Sequence, residues 1–223
     1  MSLLEKNPKA KLLDCGCWDG SNTLKYGSYI GTNNLYGVEI WKPKVKEAKA
    51  KGVIVKYGDL DKKLPFKNEA FNVVVAYHVI EHLVNVQRFV SEIHRILKKG
   101  GYAIIGTPNL ASWHNIFALL IGIQPFSGPT IYPNYDSEVL MVKQLNARRN
   151  KDVFSDYYKE IVLQHIKVMT TRALVRLFRG NHFKIENLKG FGYYPMFPLM
   201  SKALSYMDPY HSHYIILKAR KGL

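Results

Sequence analysis

Apolar residues fall in two alternating rhythms along the first half of the chain. Short unbroken runs read as buried strands: Lys11–Cys15 (KLLDC), Leu35–Ile40 (LYGVEI), Val53–Asp59 (VIVKYGD), Phe71–Tyr77 (FNVVVAY) and Tyr102–Thr107 (YAIIGT), the last broken by Pro108. Between them the spacing changes to three and four. Ser21 or Asn22 is placed to cap a helix after the first run, and Pro43 sits in the first turn of a second that stops at Gly52. Leu83, Val86, Phe89, Val90, Ile93, Ile96 and Leu97 form one apolar stripe, predicting a long amphipathic helix ended by Gly100-Gly101. Strands alternating with helices imply a parallel sheet covered on both faces.

The second half reads differently. Leu110–Ile121 is one apolar helix candidate, followed by an irregular stretch rich in Tyr and Pro that includes QPFSGPTIYPNYDSE. A long segment of that kind between core elements is commonly a lid or a substrate wall. Regularity returns with a helix capped by Thr170 or Thr171 and running to Arg179. A strand-like FKIENLKGF, a helix Leu199–Met207 and a terminal strand His213–Ala219 follow. The expected organisation is one domain: a ligand-binding half over 1–109, an insertion over 110–164, and a completion of the sheet over 165–223.

The 223 residues suffice for such a domain, with 47% apolar and 22% charged residues. No run approaches a membrane span, and the start, MSLLEKNPKAK, lacks a signal peptide's apolar stretch, so a cytoplasmic location is expected. Cys15 and Cys17 stand too close to staple anything and read as small residues of a tight loop. The formal charge of +15 suits an anionic partner: nucleic acid, an acidic lipid surface or a phosphorylated small molecule. The excess is spread over both halves without a basic tail, which favours a generally basic surface. Arg172, Arg176 and Arg179 recur on one helix face opposite Leu174, Val175, Leu177 and Phe178, the pattern of a solvated face.

The chemistry concentrates in LLDCGCWDG, residues 12–20. A buried strand delivers Asp14, and Gly16 and Gly20 let the backbone turn sharply toward a ligand before a helix opens. Glu39 ends the second strand, where a carboxylate can take both hydroxyls of a ribose. Asp59 and Leu60 end the third, where an acid can meet an adenine amino group and an apolar neighbour can pack on the ring. A second constellation, HVIEHL (His78–Leu83), reads His-x-x-Glu-His. On a helix, His78 and His82 would share a face and could grip a metal beside Glu81.

These residues resemble the class I S-adenosylmethionine-dependent methyltransferases. LPFKNEAFNVVVAYHVIEHL looks like the family's LPF-x-x-x-x-FDVV-x-x-x-x-x-EH stretch, and RFVSEIHRILKKGGYAIIGTPN resembles its next helix, Gly-Gly turn and fifth strand. HIKVMTTRALVRLFRGNHFKI (His165–Ile185) is similar to the H-x-R-x-[FY]-[ST]-x-x-x-L-x-x-L-x-x-x-x-GF segment of the type-11-like branch. Four positions depart: Trp18 replaces the middle loop glycine, Asn72 an Asp, Lys167 the usual basic residue, and His182 the glycine before Phe183.

The resemblance implies a Rossmann-like α/β fold, a seven-stranded mostly parallel sheet with an antiparallel last strand, and S-adenosyl-L-methionine over the carboxyl ends of the first three strands. By position, Asp14, Gly16, Cys17 and Gly20 would line the methionine moiety. Glu39 and Ile40 would hold the ribose, Asp59 and Leu60 the adenine, and Tyr77 the sulfonium side. His78 and His165 are the candidate catalytic residues, with Tyr132 and Tyr135 as lid residues. Some relatives use an E-x-x-E-H cluster after the fourth strand, with a distant histidine, to hold a metal. Here the first Glu is His78, and no metal is expected. The expected partner is a small-molecule acceptor, with RNA or tRNA as the alternative. No N-P-P-Y-type motif follows the fourth strand, where the chain reads AYHV. A non-catalytic cofactor-binding protein and a zinc hydrolase are further readings.

Overall fold

The computed structural model describes residues 2–128 and 165–222. The expected lid, with Tyr132 and Tyr135, lies largely outside them. The described strands are β1 (Leu12–Cys15), β2 (Leu35–Glu39), β3 (Ile54–Tyr57), β4 (Phe71–Tyr77), β5 (Leu97–Pro108), β6 (Phe183–Phe191) and β7 (Tyr214–Lys221). They form one sheet in the order β3-β2-β1-β4-β5-β7-β6. The first five pair in parallel, and β7 runs antiparallel to both β5 and β6. The order reverses between β1 and β4, the place where such sheets open a crevice beyond their carboxyl ends.

The described helices are α1 (Ser21–Ile30), α2 (Lys42–Ala50), α3 (Val86–Ile96), α4 (Trp113–Leu120), α5 (Thr171–Gly180) and α6 (Pro198–Met207). Side-chain alternation along β4 sorts the core into two layers. Val73 and Val75 pack with Leu12, Ile30 of α1 and Ala48 of α2 on one face. Val74 and Ala76 pack with Phe89 and Ile93 of α3 and Leu174 and Phe178 of α5 on the other. A sheet buried on both sides explains why its strands read as continuous apolar runs. Among the described residues no helix is long and apolar enough to cross a membrane.

Several boundaries differ from the sequence reading, and three of them have a visible local cause. Gly20, in the left-handed region, precedes α1, and neither Ser21 nor Asn22 caps it. Asp19 instead accepts from both the amide and the hydroxyl of Ser21. The apolar stripe from Leu83 starts too early for a helix: Ile80–His82 is a single 3-10 turn, and Asn85 caps α3 by accepting from the Arg88 amide. The helix also ends before Gly100-Gly101. Leu97 is extended and pairs with Phe71, and the register shifts between Phe71 and Val73 to absorb the extra residues. Thr170 does cap α5, accepting from the Ala173 amide. Arg172, Arg176 and Arg179 are exposed along α5.

Candidate active site

β1 ends in the loop that sequence marks as the ligand cradle. Gly16 and Gly20 have φ of 72° and 78°, the conformation glycine adopts without penalty. Trp18, at the position where the family carries its middle glycine, also lies in the left-handed region at φ 49°. The same holds at the other substituted glycine, His182, with φ 63°. Both departures therefore keep the backbone of the motif while changing the side chain. The Trp18 indole turns outward, 4.9 Å from Trp41, with the Lys44 ammonium over both rings.

Cys17 points the other way. A Cβ on Gly37 would stand 2.5 Å from its Sγ, so the two residues interlock beneath the loop. Burial, then the charges of Asp14 and Glu39, push the Cys17 thiol up to about 12, and Cys15 is pushed up as well. Neither is a nucleophile at neutral pH. What Cys17 gives the cradle is shape.

Glu39 closes the loop. Its buried carboxylate accepts the Trp18 amide at 2.9 Å on Oε2, and the amides of Ile40 (2.9 Å) and Trp41 (3.0 Å) on Oε1. A carboxylate offers about four acceptor positions. One strong position thus remains on Oε2, where two ribose hydroxyls were expected to compete. The N-terminus of α1, whose first amide is taken by Asp19, opens from the same loop, and its remaining first-turn amides favour an anionic group. Glu39 and α1 together fit a ligand carrying a ribose and a carboxylate.

Asp14 lies beneath this loop. Its Oδ2 accepts from Thr23 Oγ1 at 2.6 Å, tying the end of β1 to α1. Burial, reinforced by the Glu39 charge and opposed by the Thr23 hydrogen bond, pushes its carboxyl up to about 7. The folded state therefore holds a proton there that the unfolded chain releases near pH 4. Stability from this group is full below that value and is lost as pH rises through about 7. Asp14→Asn is expected to melt closer to, or above, wild type as pH is raised from 4 to 8. Melting curves across that range check it, and a constant offset would show that Asp14 does not titrate in this window.

Asp59 and Leu60 follow β3. Asp59 accepts the Asp61 amide and pairs with Lys62 at 3.5 Å. Asp61, which sequence reading passed over, accepts the Val84 and Asn85 amides and binds this turn to the start of α3. Tyr77 stacks on Tyr26 at 6.0 Å, and burial pushes its phenol up to about 12.

The segment after β4 is the most connected part of the site. His78 has φ 51° and donates its amide to Gly106. It stands on no helix, so His78 and His82 do not share a helical face as the motif alone suggested. The His78 imidazole is half-exposed, 3.2 Å from Glu81 Oε1 through Nδ1, with its ring edge-on to Tyr214. Glu81 is fully buried, and Thr107 donates to its Oε2 at 2.9 Å. Burial alone would raise the Glu81 carboxyl, but the hydrogen bond from His78 and further interactions outweigh it and hold it below the ordinary value. With Glu81 ionised, its Oε1 accepts from His78 Nδ1, an arrangement that in a neutral imidazole leaves Nε2 as the acceptor.

His165 returns to this segment from far along the chain. Its ring lies 5.1 Å from that of His82, its Nδ1 sits 3.2 Å from the Ser127 carbonyl, and the following amides, Ile166 and Lys167, donate to the Glu81 carbonyl. Ligand atoms of Glu81, His82 and His165 lie within 4.8 Å of one another. A carboxylate with two imidazoles is a donor set that suits a divalent transition metal. The set excludes His78, which faces Tyr214. The structure therefore separates the two histidines expected to be catalytic: His78 stands with Glu81, and His165 with His82.

A ring wall continues from His78. Tyr214 follows, then His213 at 4.1 Å and His114 stacked on His213 at 4.4 Å. Burial, then the neighbouring histidines, lower His213 to about 4, and burial lowers His114, so this stacked pair favours the neutral form at neutral pH. Sequence reading missed Tyr214, His213, His114 and Thr107; the first two lie about a hundred residues from the others and are brought beside them by the antiparallel β5–β7 pairing.

Residues 13–105 match the family model described as a methyltransferase domain. The demethylmenaquinone methyltransferase of Alkalihalophilus pseudofirmus is 23% identical over 180 residues, 75% of this chain and 76% of that protein. A probable S-adenosylmethionine-dependent methyltransferase of Mycolicibacterium smegmatis is 32% identical over 103 residues, 44% of this chain and 38% of that one. Among solved structures, an S-adenosylmethionine-dependent methyltransferase of Mesorhizobium loti superposes with a TM-score of 0.64 at 14% identity, covering 99% of this chain and 94% of the other.

Proposed function

We propose, from the premise that this chain is a class I S-adenosylmethionine-dependent methyltransferase of the type-11 kind, that its acceptor is a small, ring-bearing molecule. The observation that carries this reading is the run of rings His78, Tyr214, His213 and His114 beside the strand ends. Flat rings offer stacking and hydrogen bonding to a ring-bearing acceptor. The name of the demethylmenaquinone relative, which refers to a quinone-type acceptor, agrees with it.

When bound, S-adenosylmethionine supplies a methyl on a sulfonium, a leaving group that needs no further activation. The protein's part is alignment and proton removal. The residues proposed to hold the cofactor are those of the cradle: Gly16, Cys17 and Gly20 through the loop, Glu39 and Ile40 at the ribose, Asp59 and Leu60 at the adenine, and Tyr77 at the sulfonium side. Asp14 supports the loop from beneath. His78 Nε2 takes the acceptor's proton, with Glu81 fixing the tautomer. His165 positions the segment through His82 and the Glu81 carbonyl.

The second reading, an RNA acceptor, is favoured by the +15 charge. Labelled S-adenosylmethionine separates the two. Transfer to hydroxylated aromatic compounds, with none to bulk tRNA, is the expected result. Label appearing only in RNA, with affinity falling steeply in salt, would overturn the small-molecule reading.

A further inference from the structure

At the opposite end of the sheet lies a second concavity. It has a volume of about 880 Å³, within the roughly 300–1,000 Å³ usual for ligand sites, and lies between the Lys63–Asn68 loop and the edges of β2 and β3. Lys11, Lys56, Lys63 and Lys67 rim it, and Tyr36 and Phe66 line it. Lys11 precedes β1 and Phe71 begins β4, whose far ends carry the glycine loop and His78. At about 3.3 Å per residue, the seven residues of β4 put roughly 20 Å between the groove and the active end.

Most of the charge of this groove is without a carboxylate in its lining. Its fifth cation, Arg95, is spent on Glu92, on the Leu64 and Phe66 carbonyls and on Asn68. Glu92 is spent in turn on Arg95 and the Leu64 amide, and it also feels the charge of Lys63, which leaves Lys11, Lys56 and Lys67 as the rim without an acid. Lys56 donates to the Pro65 carbonyl at 2.7 Å, which neutralises nothing, and its ammonium stands 4.9 Å over the Phe66 ring. No carboxylate lines the concavity. Four ammonium groups round one hollow repel one another until an anion enters. The aromatic lining is firmly held: Phe71 meets Tyr36 edge-on at 5.3 Å and Phe66 at 4.8 Å.

A lysine rim over an aromatic floor fits a group that carries phosphate and a flat ring together. We propose that this groove binds a nucleotide unit, phosphate to the lysines and base against Tyr36 and Phe66, supplied either as a free nucleotide or within a single-stranded RNA. The site is separate from the methyl-transfer end and does not depend on the acceptor proposed above.

The test is titration of the full chain with adenosine monophosphate, with a ten-residue oligoadenylate and with inorganic polyphosphate of similar charge. Lys11→Glu/Lys67→Glu is expected to weaken oligoadenylate binding about tenfold or more. The control pair Lys184→Glu/Lys202→Glu, exposed and remote from the groove, changes net charge equally and is expected to cost less than about threefold. Phe66→Leu is expected to weaken oligoadenylate by about tenfold while leaving polyphosphate unchanged. S-adenosylhomocysteine affinity should be the same in all these variants, which also checks their folding. Saturation by adenosine monophosphate alone identifies a free nucleotide as the occupant, and binding of the oligomer only identifies a strand. Equal losses in the groove and control pairs, or polyphosphate binding as tightly as oligoadenylate, would overturn the proposal.

Discussion

Glu39→Ala is expected to weaken S-adenosylhomocysteine binding by about a hundredfold and to lower the melting temperature of the ligand-free protein. The two effects have one source. The carboxylate accepts three backbone amides and keeps a single acceptor position for the ligand. A hydrogen bond to a charged group contributes about 1.5–3 kcal/mol, and buried amides left without an acceptor cost about as much again. Glu39→Gln should separate the two effects, because the amide oxygen still accepts but carries no charge. The melting temperature is then expected to recover further than the affinity. Calorimetric titration of both variants measures this. Wild-type affinity in Glu39→Ala would remove the ligand from this end of β2, whereas failure of the acceptor assay alone would leave the cofactor assignment standing.

The second large effect is expected at Glu81. Glu81→Gln should reduce turnover about 10²- to 10⁴-fold, the range for loss of general-base assistance, with cofactor affinity little changed. The side chain touches His78 and Thr107, and the main chain receives Ile166 and Lys167, so this residue ties four others together. The pH profile shows how it acts. If Glu81 works by orienting His78, the pH profile of the variant differs in shape from that of wild type, and the rate stays indifferent to chelators. If it works as a ligand with His82 and His165, chelation of wild type mimics the substitution, and manganese or zinc restores the rate. Full turnover in Glu81→Gln would exclude both roles.

How much of this was legible beforehand follows from which interactions are local. β4 and β6 were readable to the residue because an apolar run and a turn signal bound each one within a few positions. The start of α3 was not. Leu83 continues the helical stripe, yet the Glu81 carbonyl turns away to receive amides from residues 166 and 167, and the backbone at 80–82 tightens to a 3-10 turn. Likewise, Leu97 joins the stripe in sequence but pairs with Phe71 in the sheet. Glu39 was legible because it ends a strand, but its hold on the Trp18 amide was not, since that depends on how the Trp18 loop folds back. His165 was placed near the site by resemblance. That it meets His82 and leaves His78 to Tyr214 is a consequence of packing between distant segments. The ring wall needed the β5–β7 register, which no local pattern encodes.

The outward-turned indole of Trp18 gives the chain a built-in optical gauge. Only three tryptophans occur, and two of them, Trp18 and Trp41, lie in contact on the cradle while their amides feed the Glu39 carboxylate. The third, Trp113, sits on α4 against His211. Trp113→Phe would leave emission from the cradle alone. Any movement of the loop by a ligand would then change the environment of both rings and the placement of the Lys44 ammonium over them, so occupancy could be followed in the unlabelled protein in real time.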